Sequence, residues 1–220
     1  MAVATQLSSR HVVLLGDSIF DNAAYTDRDP DVISHLRTLL PLDWRATLCA
    51  VDGATTSGLP AQLERVPDDA SHLVISIGGN DALQNRDLLS TRVTSSAQTL
   101  ALCADRVGLF ERQYRRVVAK ALALGRQTYI CTVYNGALDA GEAVVARTAL
   151  ALFNDAILRT AVDLRLDTLE LRAVCTEPGD YANPIEPSGL GGLKIARAIA
   201  HLIGAIDAGR RPARIWGRPD

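Results

Sequence analysis

The sequence is short of the residues that would tie it to a metal, a nucleic acid or a bilayer. Its 220 residues hold four cysteines, Cys49, Cys103, Cys131 and Cys175, and no two stand at CxxC spacing. Three fall in or beside apolar strand-like runs and one on an apolar helix face, so they read as small buried hydrophobes, not as a zinc or redox site or a disulfide frame. Neither sign of charge dominates: 23 Lys and Arg against 25 Asp and Glu leave a net −2. That balance gives no electrostatic footprint for nucleic acid. The longest apolar runs fall far short of the twenty or so residues a membrane span needs. The start, MAVATQLSSRH, lacks the basic opening and apolar run of a signal peptide. A cytoplasmic protein with a small-molecule substrate is the expectation.

What is present is apolar mass in a repeating order. Hydrophobic residues make up 48% of the chain, enough for one sizeable core. Five short apolar runs, 11–16, 45–51, 72–79, 127–133 and 166–174, fit strands buried on both faces. Helical periodicity lies between and after them. Leu100, Cys103, Val107, Phe110, Tyr114, Val117, Ala121 and Leu124 form one stripe in steps of three and four. Thr94 or Ser95 is its candidate cap, Gly125 its candidate end, and Gly108 a candidate bend or break. Further helices are expected over about 142–163, with Leu150, Phe153, Ile157 and Leu158 inward, and over about 189–207, with Ile195, Ile199, Leu202 and Ile206 inward. Strand–helix alternation predicts an α/β fold with a parallel sheet between helix layers. No repeat, linker or second core is visible, so the chain reads as one domain, 1–220, with its core at about 11–207. The Pro- and Arg-rich tail 208–220, which carries Trp216, lies outside that core.

In such folds ligands bind at the carboxyl ends of the strands. Four segments converge there. In LLGDSIFDN (14–22), Gly16 permits a tight turn and Ser18 follows at the sheet edge; alone, Asp17 and Ser18 also read as a turn capping backbone N–H groups. In VDGATTSG (51–58), Gly53 follows the second strand and its N–H is a candidate oxyanion donor, or merely a turn. In ISIGGNDAL (75–83), Gly78-Gly79 presents Asn80, whose amide is a second candidate donor, or the start of an Asx turn. In NPIEPSGLGGLKIA (183–196), two prolines stiffen a loop, Ser188 is a helix cap and Gly191-Gly192 allow close packing.

Taken together and in order, GDS, Gly53 and GGND resemble the nucleophile, glycine and asparagine blocks of the GDSL/SGNH hydrolase family, over roughly residues 11 to 207. The resemblance implies a flavodoxin-like three-layer α/β/α sandwich with strand order 2-1-3-4-5 and cofactor-free hydrolysis of esters or thioesters. By position, Ser18 would be the nucleophile, and the Ser18 N–H, the Gly53 N–H and the Asn80 side chain the oxyanion hole. Asp17 and Asp21, flanking the nucleophile, are candidate substrate contacts.

The fourth block departs from the family pattern. Where the family has Asp-x-x-His, this chain has Asn183 and Glu186. A serine hydroxyl is a poor nucleophile without a base, and a solvated glutamate, near pKa 4.3, is a weaker base at neutral pH than histidine, near 6.5. The four histidines do not obviously fill the gap. His11 and His72 open their strands, at the far end of the sheet. His201 lies about 18 Å along the last helix. His35 stays open, on a segment after the nucleophile loop. Three readings follow. Glu186 is itself the base, helped by Asp180 or Asp17, a resemblance to the serine-carboxyl peptidases; or the chain is a weak or inactive esterase that binds an acyl or carbohydrate ligand; or the base comes from elsewhere in the chain or from another subunit.

Overall fold

A computed structural model describes residues 10–207, so the expectations for residues 1–9, the tail 208–220 and Trp216 fall outside the described residues. In chain order the regular elements are β1 (Arg10–Gly16), α1 (Val32–Leu39), β2 (Trp44–Leu48), α2 (Leu59–Leu63), β3 (His72–Ser76), α3 (Gly79–Leu83), α4 (Ser96–Leu122), β4 (Gln127–Cys131), α5 (Ala140–Leu164), β5 (Thr168–Leu169) and α6 (Gly189–Leu202). The five strands form one parallel sheet in the order β2-β1-β3-β4-β5.

The strands are apolar without alternation because both faces are covered. In β1, the consecutive residues Val12, Val13, Leu14 and Leu15 all have no exposed surface. The chain steps from β1 out to β2, then crosses back to β3 and on to β5. Right-handed crossovers therefore place α1 on one face and α4 and α5 on the other. The packing follows: α1 lies against α6, and α4 against α5.

Several boundaries differ from the expected ones. The second and third strands stop at Leu48 and Ser76, because their last apolar residues form the loops of the carboxyl edge. The fifth strand shrinks to Thr168–Leu169, and residues 171–173 turn into a short 3-10 segment. Helix α4 runs unbroken through Gly108, where tertiary packing overrides the local cost of about 1 kcal/mol. Ser95 is its cap, accepting from the Gln98 N–H. Helix α6 ends at Leu202, and Gly204 takes a left-handed φ of 71° just beyond. Leu158 is half-buried, not core, and Leu100 and Leu124 at the ends of the α4 stripe are 64% and 41% exposed.

The exposed start of α4 has a geometric cause. Its 27 residues span about 40 Å, roughly twice the length of a five- to seven-residue strand. Its first turns therefore overhang the carboxyl edge of the sheet, as do those of α5, and the two overhangs build walls above the strand ends. No helix among the described residues is long and apolar enough to cross a membrane.

The critical strand end is Gly16. Its φ is 137°, and a Cβ there would stand 1.7 Å from the Ser76 carbonyl oxygen. The fully buried side chain of Gln62 completes the edge: its Oε1 accepts from the Gly16 N–H at 2.7 Å and its Nε2 donates to the Gly16 carbonyl at 2.7 Å. Two outcomes are expected in urea denaturation. Gly16→Ala should lose more than about 3 kcal/mol, since both the clash and the backbone angle oppose it. Gln62→Leu, which keeps the volume but orphans the Gly16 N–H, should lose about 1–3 kcal/mol.

Candidate active site

The loop after β1 carries the first two site residues. Asp17 donates its N–H to the Ser76 carbonyl at 3.1 Å, and its Oδ1 accepts from the Ile19 N–H at 3.1 Å. This Asx turn holds Ser18 at the sheet edge, at the head of a turn. Both residues are nearly buried, at 2% and 7% exposure. Asp17 Oδ2 is buried with no hydrogen-bond partner among the described residues.

Glu186 arrives from the other side, on the loop that precedes α6, and is 7% exposed. Ser18 and Glu186 line the same cavity mouth, where the Ser18 hydroxyl favours the charged carboxylate, while Glu186 Oε2 is buried without a partner among the described residues. The loop itself is clamped at many points. The Tyr134 hydroxyl donates to the Ile185 carbonyl at 2.7 Å. Ala137 N–H donates to the Pro184 carbonyl at 2.9 Å. Asn22, wholly buried, donates to the Pro187 carbonyl at 3.2 Å and accepts from the Val32 N–H at 3.0 Å. Asn183 Oδ1 accepts from the N–H groups of Ile185 and Glu186, at 3.0 and 2.9 Å. The asparagine thus folds the backbone around Glu186; no bond from it to the carboxylate is formed.

Of the remaining predicted donors, Asn80 lines the same cavity as Ser18. Asn80, in the first turn of α3, donates to the Ala54 carbonyl at 2.9 Å. That contact ties it to the loop of Gly53, which is exposed and has a φ of 74°. Asp21 steadies the same loop from below: its Oδ2 accepts from the Asp52 N–H at 2.9 Å. Asp52 also accepts from the Tyr25 hydroxyl at 2.8 Å. Asp21 therefore appears as a loop anchor on the polar flank. Asp81 fixes the far side, accepting from both the N–H and the hydroxyl of Thr56 at 2.9 Å.

The other proposed helpers are engaged elsewhere. Asp180 is fully buried and accepts from the N–H groups of Thr176 and Glu177, and Lys194 Nζ lies 2.6 Å from its Oδ1. Burial works to raise its pKa, yet these partners together hold it below the ordinary aspartate value. It locks the loop to α6 and does not reach Glu186. His35 places Nε2 3.1 Å from the Gly189 carbonyl. His11 is bound by Asp69 and Thr47, and His72 by Ser71, at the amino ends of their strands. No histidine lines the cavity beside Ser18.

The electrostatics of the site are those of two carboxyls held out of water. Burial raises Glu186 above its usual range, with the Asp52 charge adding to the effect and the Ser18 hydroxyl opposing it. Burial pushes Asp17 up to about 7, the Ile19 N–H opposing and the charges of Glu186 and Asp81 adding. Glu186 ionises first, and its charge then helps keep the proton on Asp17.

Sequence reasoning missed the roles of Asn22, Gln62 and Tyr134, although Asn22 closes the 14–22 block and Tyr134 stands just past the carboxyl end of a predicted strand. It also missed a cavity of about 180 Å³ that opens at Asp17, Ser18, Asn80 and Glu186 and runs beneath the overhangs of α4 and α5.

The buried Asp17 has a consequence for stability. With a folded pKa near 7 against about 3.9 unfolded, the native state holds the extra proton between those values. Its contribution is fully present below about pH 4 and is lost as pH rises to 7. Asp17→Asn keeps the acceptor for Ile19 and cannot ionise. The melting temperature of the variant, minus that of wild type, should therefore climb between pH 4 and 7 and then level; a flat difference across that range would contradict the burial of an ionisable Asp17.

With this geometry in place, the comparisons with known proteins can be set beside it. The sequence model of the GDSL-like lipase/acylhydrolase family matches residues 14–191. No curated protein matches significantly. Among solved structures, an extracellular lipase from Streptomyces rimosus shares the fold with a TM-score of 0.66 at 17% identity, over 88% of this chain and 99% of that one. A phospholipase A1 from Streptomyces albidoflavus NA297 gives 0.65 at 17%, over 87% and 98%. An acetylxylan esterase from Geobacillus stearothermophilus gives 0.65 at 18%, over 89% and 94%. At such identities the structures establish the shared fold, and the family match, spanning all four blocks, establishes the rest: the chain belongs to the GDSL-like lipase/acylhydrolase family and is, at the level of that family, an ester hydrolase.

Proposed function

We propose that the chain is a serine hydrolase of small carboxylic esters in which Ser18 attacks and Glu186 takes its proton. The observation that carries this reading is a nearly buried glutamate that shares the cavity mouth with Ser18 and feels its hydroxyl. A carboxylate in water is too weak a base for this task; one raised by burial is better matched to neutral pH. In the first step the Ser18 oxygen bonds to the ester carbonyl carbon while its proton passes to Glu186. The oxygen that becomes negative is received by the N–H groups of Ser18 and Gly53 and the amide of Asn80. Glu186 then returns the proton to the departing alcohol, leaving an acyl-serine. Water then bonds to the acyl carbon as Glu186 takes its proton; the bond from that carbon to the Ser18 oxygen breaks, Glu186 returns the proton to that oxygen, and the acid leaves. No cofactor enters these steps. Asn183 acts through the backbone, holding the N–H of Glu186, and Asp17 stays neutral beside the charged base at the pH where Glu186 works.

One feature favours a second reading, an acyl- or carbohydrate-binding protein with little turnover: the place of the orienting acid is taken by Asn183, whose side-chain oxygen bonds backbone and not the base. A short-chain aryl ester assay separates the two. If Glu186 is the base, Glu186→Gln should reduce Ser18-dependent kcat/KM by about 10²–10⁴-fold, and wild-type kcat/KM should rise with pH through a midpoint above the ordinary glutamate range. Wild type indistinguishable from Ser18→Ala at every pH, with no labelling of Ser18 by a fluorophosphonate, would favour the binding protein.

A further inference from the structure

The cavity beside Ser18 has a lining that is polar at one end and apolar beyond it. Asp17, Ser18, Asn80 and Glu186 meet at the catalytic end. Past them the walls are side chains such as Leu83, Leu88, Val107, Val133, Leu150 and Phe153. The lining also includes Asn135 and Tyr134, whose hydroxyl is spent on the Ile185 carbonyl, and two further polar residues that do not change its character. Asn85 is satisfied, donating to the Asp81 carbonyl and accepting from Arg106, and Arg86 is exposed, so its guanidinium can stay in water above an apolar stem.

The enclosed volume is about 180 Å³. An apolar cavity of about 150 Å³ accommodates a benzene ring, so this one has room for about six to eight carbons of an unbranched chain. The depth is set on α5, where Ala146, Ala149, Leu150 and Phe153 fall on one helix face. The two alanines leave the space that larger residues would close. The opposite flank of Ser18 is acidic and hydrated. Asp52 is exposed, takes the Tyr25 hydroxyl and acts on Glu186 by its charge. An apolar chain gains nothing on that side, whereas an alcohol collecting a proton from Glu186 leaves there directly into water.

Resting on the reading of Ser18 as nucleophile, we infer that the substrate is an ester of a medium-length, unbranched acyl chain, with that chain in the cavity between α4 and α5 and the alcohol on the acidic flank. Acetyl esters leave the cavity unfilled; acyl chains much beyond eight carbons exceed it.

The test is a chain-length series of p-nitrophenyl esters from acetate to dodecanoate, with octyl acetate as the reversed case. Each methylene buried is worth about fourfold, so the six added between acetate and octanoate should raise kcat/KM by up to about 4000-fold, and it should fall at dodecanoate. Ala149→Phe should lower the octanoate-to-acetate ratio at least tenfold, with Ala146→Leu as the second variant if the first does not fold. Acetate as the best substrate, an equal gain for octyl acetate, or an unchanged ratio in a folded variant would each overturn the assignment. Binding provides an independent readout. Methyl octanoate titrated into Ser18→Ala should bind saturably, and more weakly when Ala149→Phe is added. Binding without Ser18-dependent turnover would sink the hydrolase and keep the acyl cavity; turnover indifferent to chain length would do the reverse.

Discussion

Two neighbouring strand ends come together so closely that no side chain fits between them, and the site is built on that approach. At Gly16 a single methyl group would overlap the Ser76 carbonyl. Without one, Asp17 hangs its N–H on that same carbonyl, and the chain can turn so that Ser18 stands over the sheet. The third strand leaves the edge at once through Gly78, with a φ of 126°, and delivers Asn80 to the same place. Ser18 and Asn80 are thus placed by backbone geometry before any side-chain chemistry acts. Gln62 bonds both the N–H and the carbonyl of Gly16, the carbonyl also accepting from the Val51 N–H.

The second requirement is to keep a carboxylate dry next to a hydroxyl. Burying a charge without a partner is costly, and the protein meets the cost in two ways. It gives Glu186 the Ser18 hydroxyl as a neighbour, and it surrounds the loop with backbone contacts from Tyr134, Ala137 and Asn22. The neighbouring Asp17 completes the arrangement. Burial raises both carboxyls above their usual range, and the charge of Glu186 adds to the shift of Asp17.

Much of this was legible in the sequence. The two helix layers follow from the short apolar runs and their alternation with helices, the strand order from the family blocks, and the Ser188 cap of the last helix from its place in the sequence. Where the reading fell short, the reason is distance along the chain. Asn22 meets Pro187 across 165 residues and Gln62 meets Gly16 across 46, and nothing local distinguishes such polar residues from surface ones. The choice of helper for Glu186 went partly wrong for the same reason: Asp180 is nearer in sequence, but Lys194, one helix turn into α6, claims it. The cavity was invisible because it arises from helices longer than the strands they cover, a property of lengths and not of any motif.

The loop from Asp180 to Ser188 is anchored almost wholly by groups other than the side chain of residue 186. Asp180 grips Lys194, Ser188 donates its N–H to the Asp180 carbonyl, and Gly191 packs so tightly on Asp180 that a Cβ would lie 2.0 Å from its carbonyl oxygen. Asn183 and Tyr134 hold backbone atoms, not the carboxylate. The frame is therefore indifferent to which side chain it carries at residue 186. In evolutionary terms that position is an interchangeable fitting on a fixed mount: a lineage can change what it presents to Ser18 while leaving the fold and the strand ends where they stand.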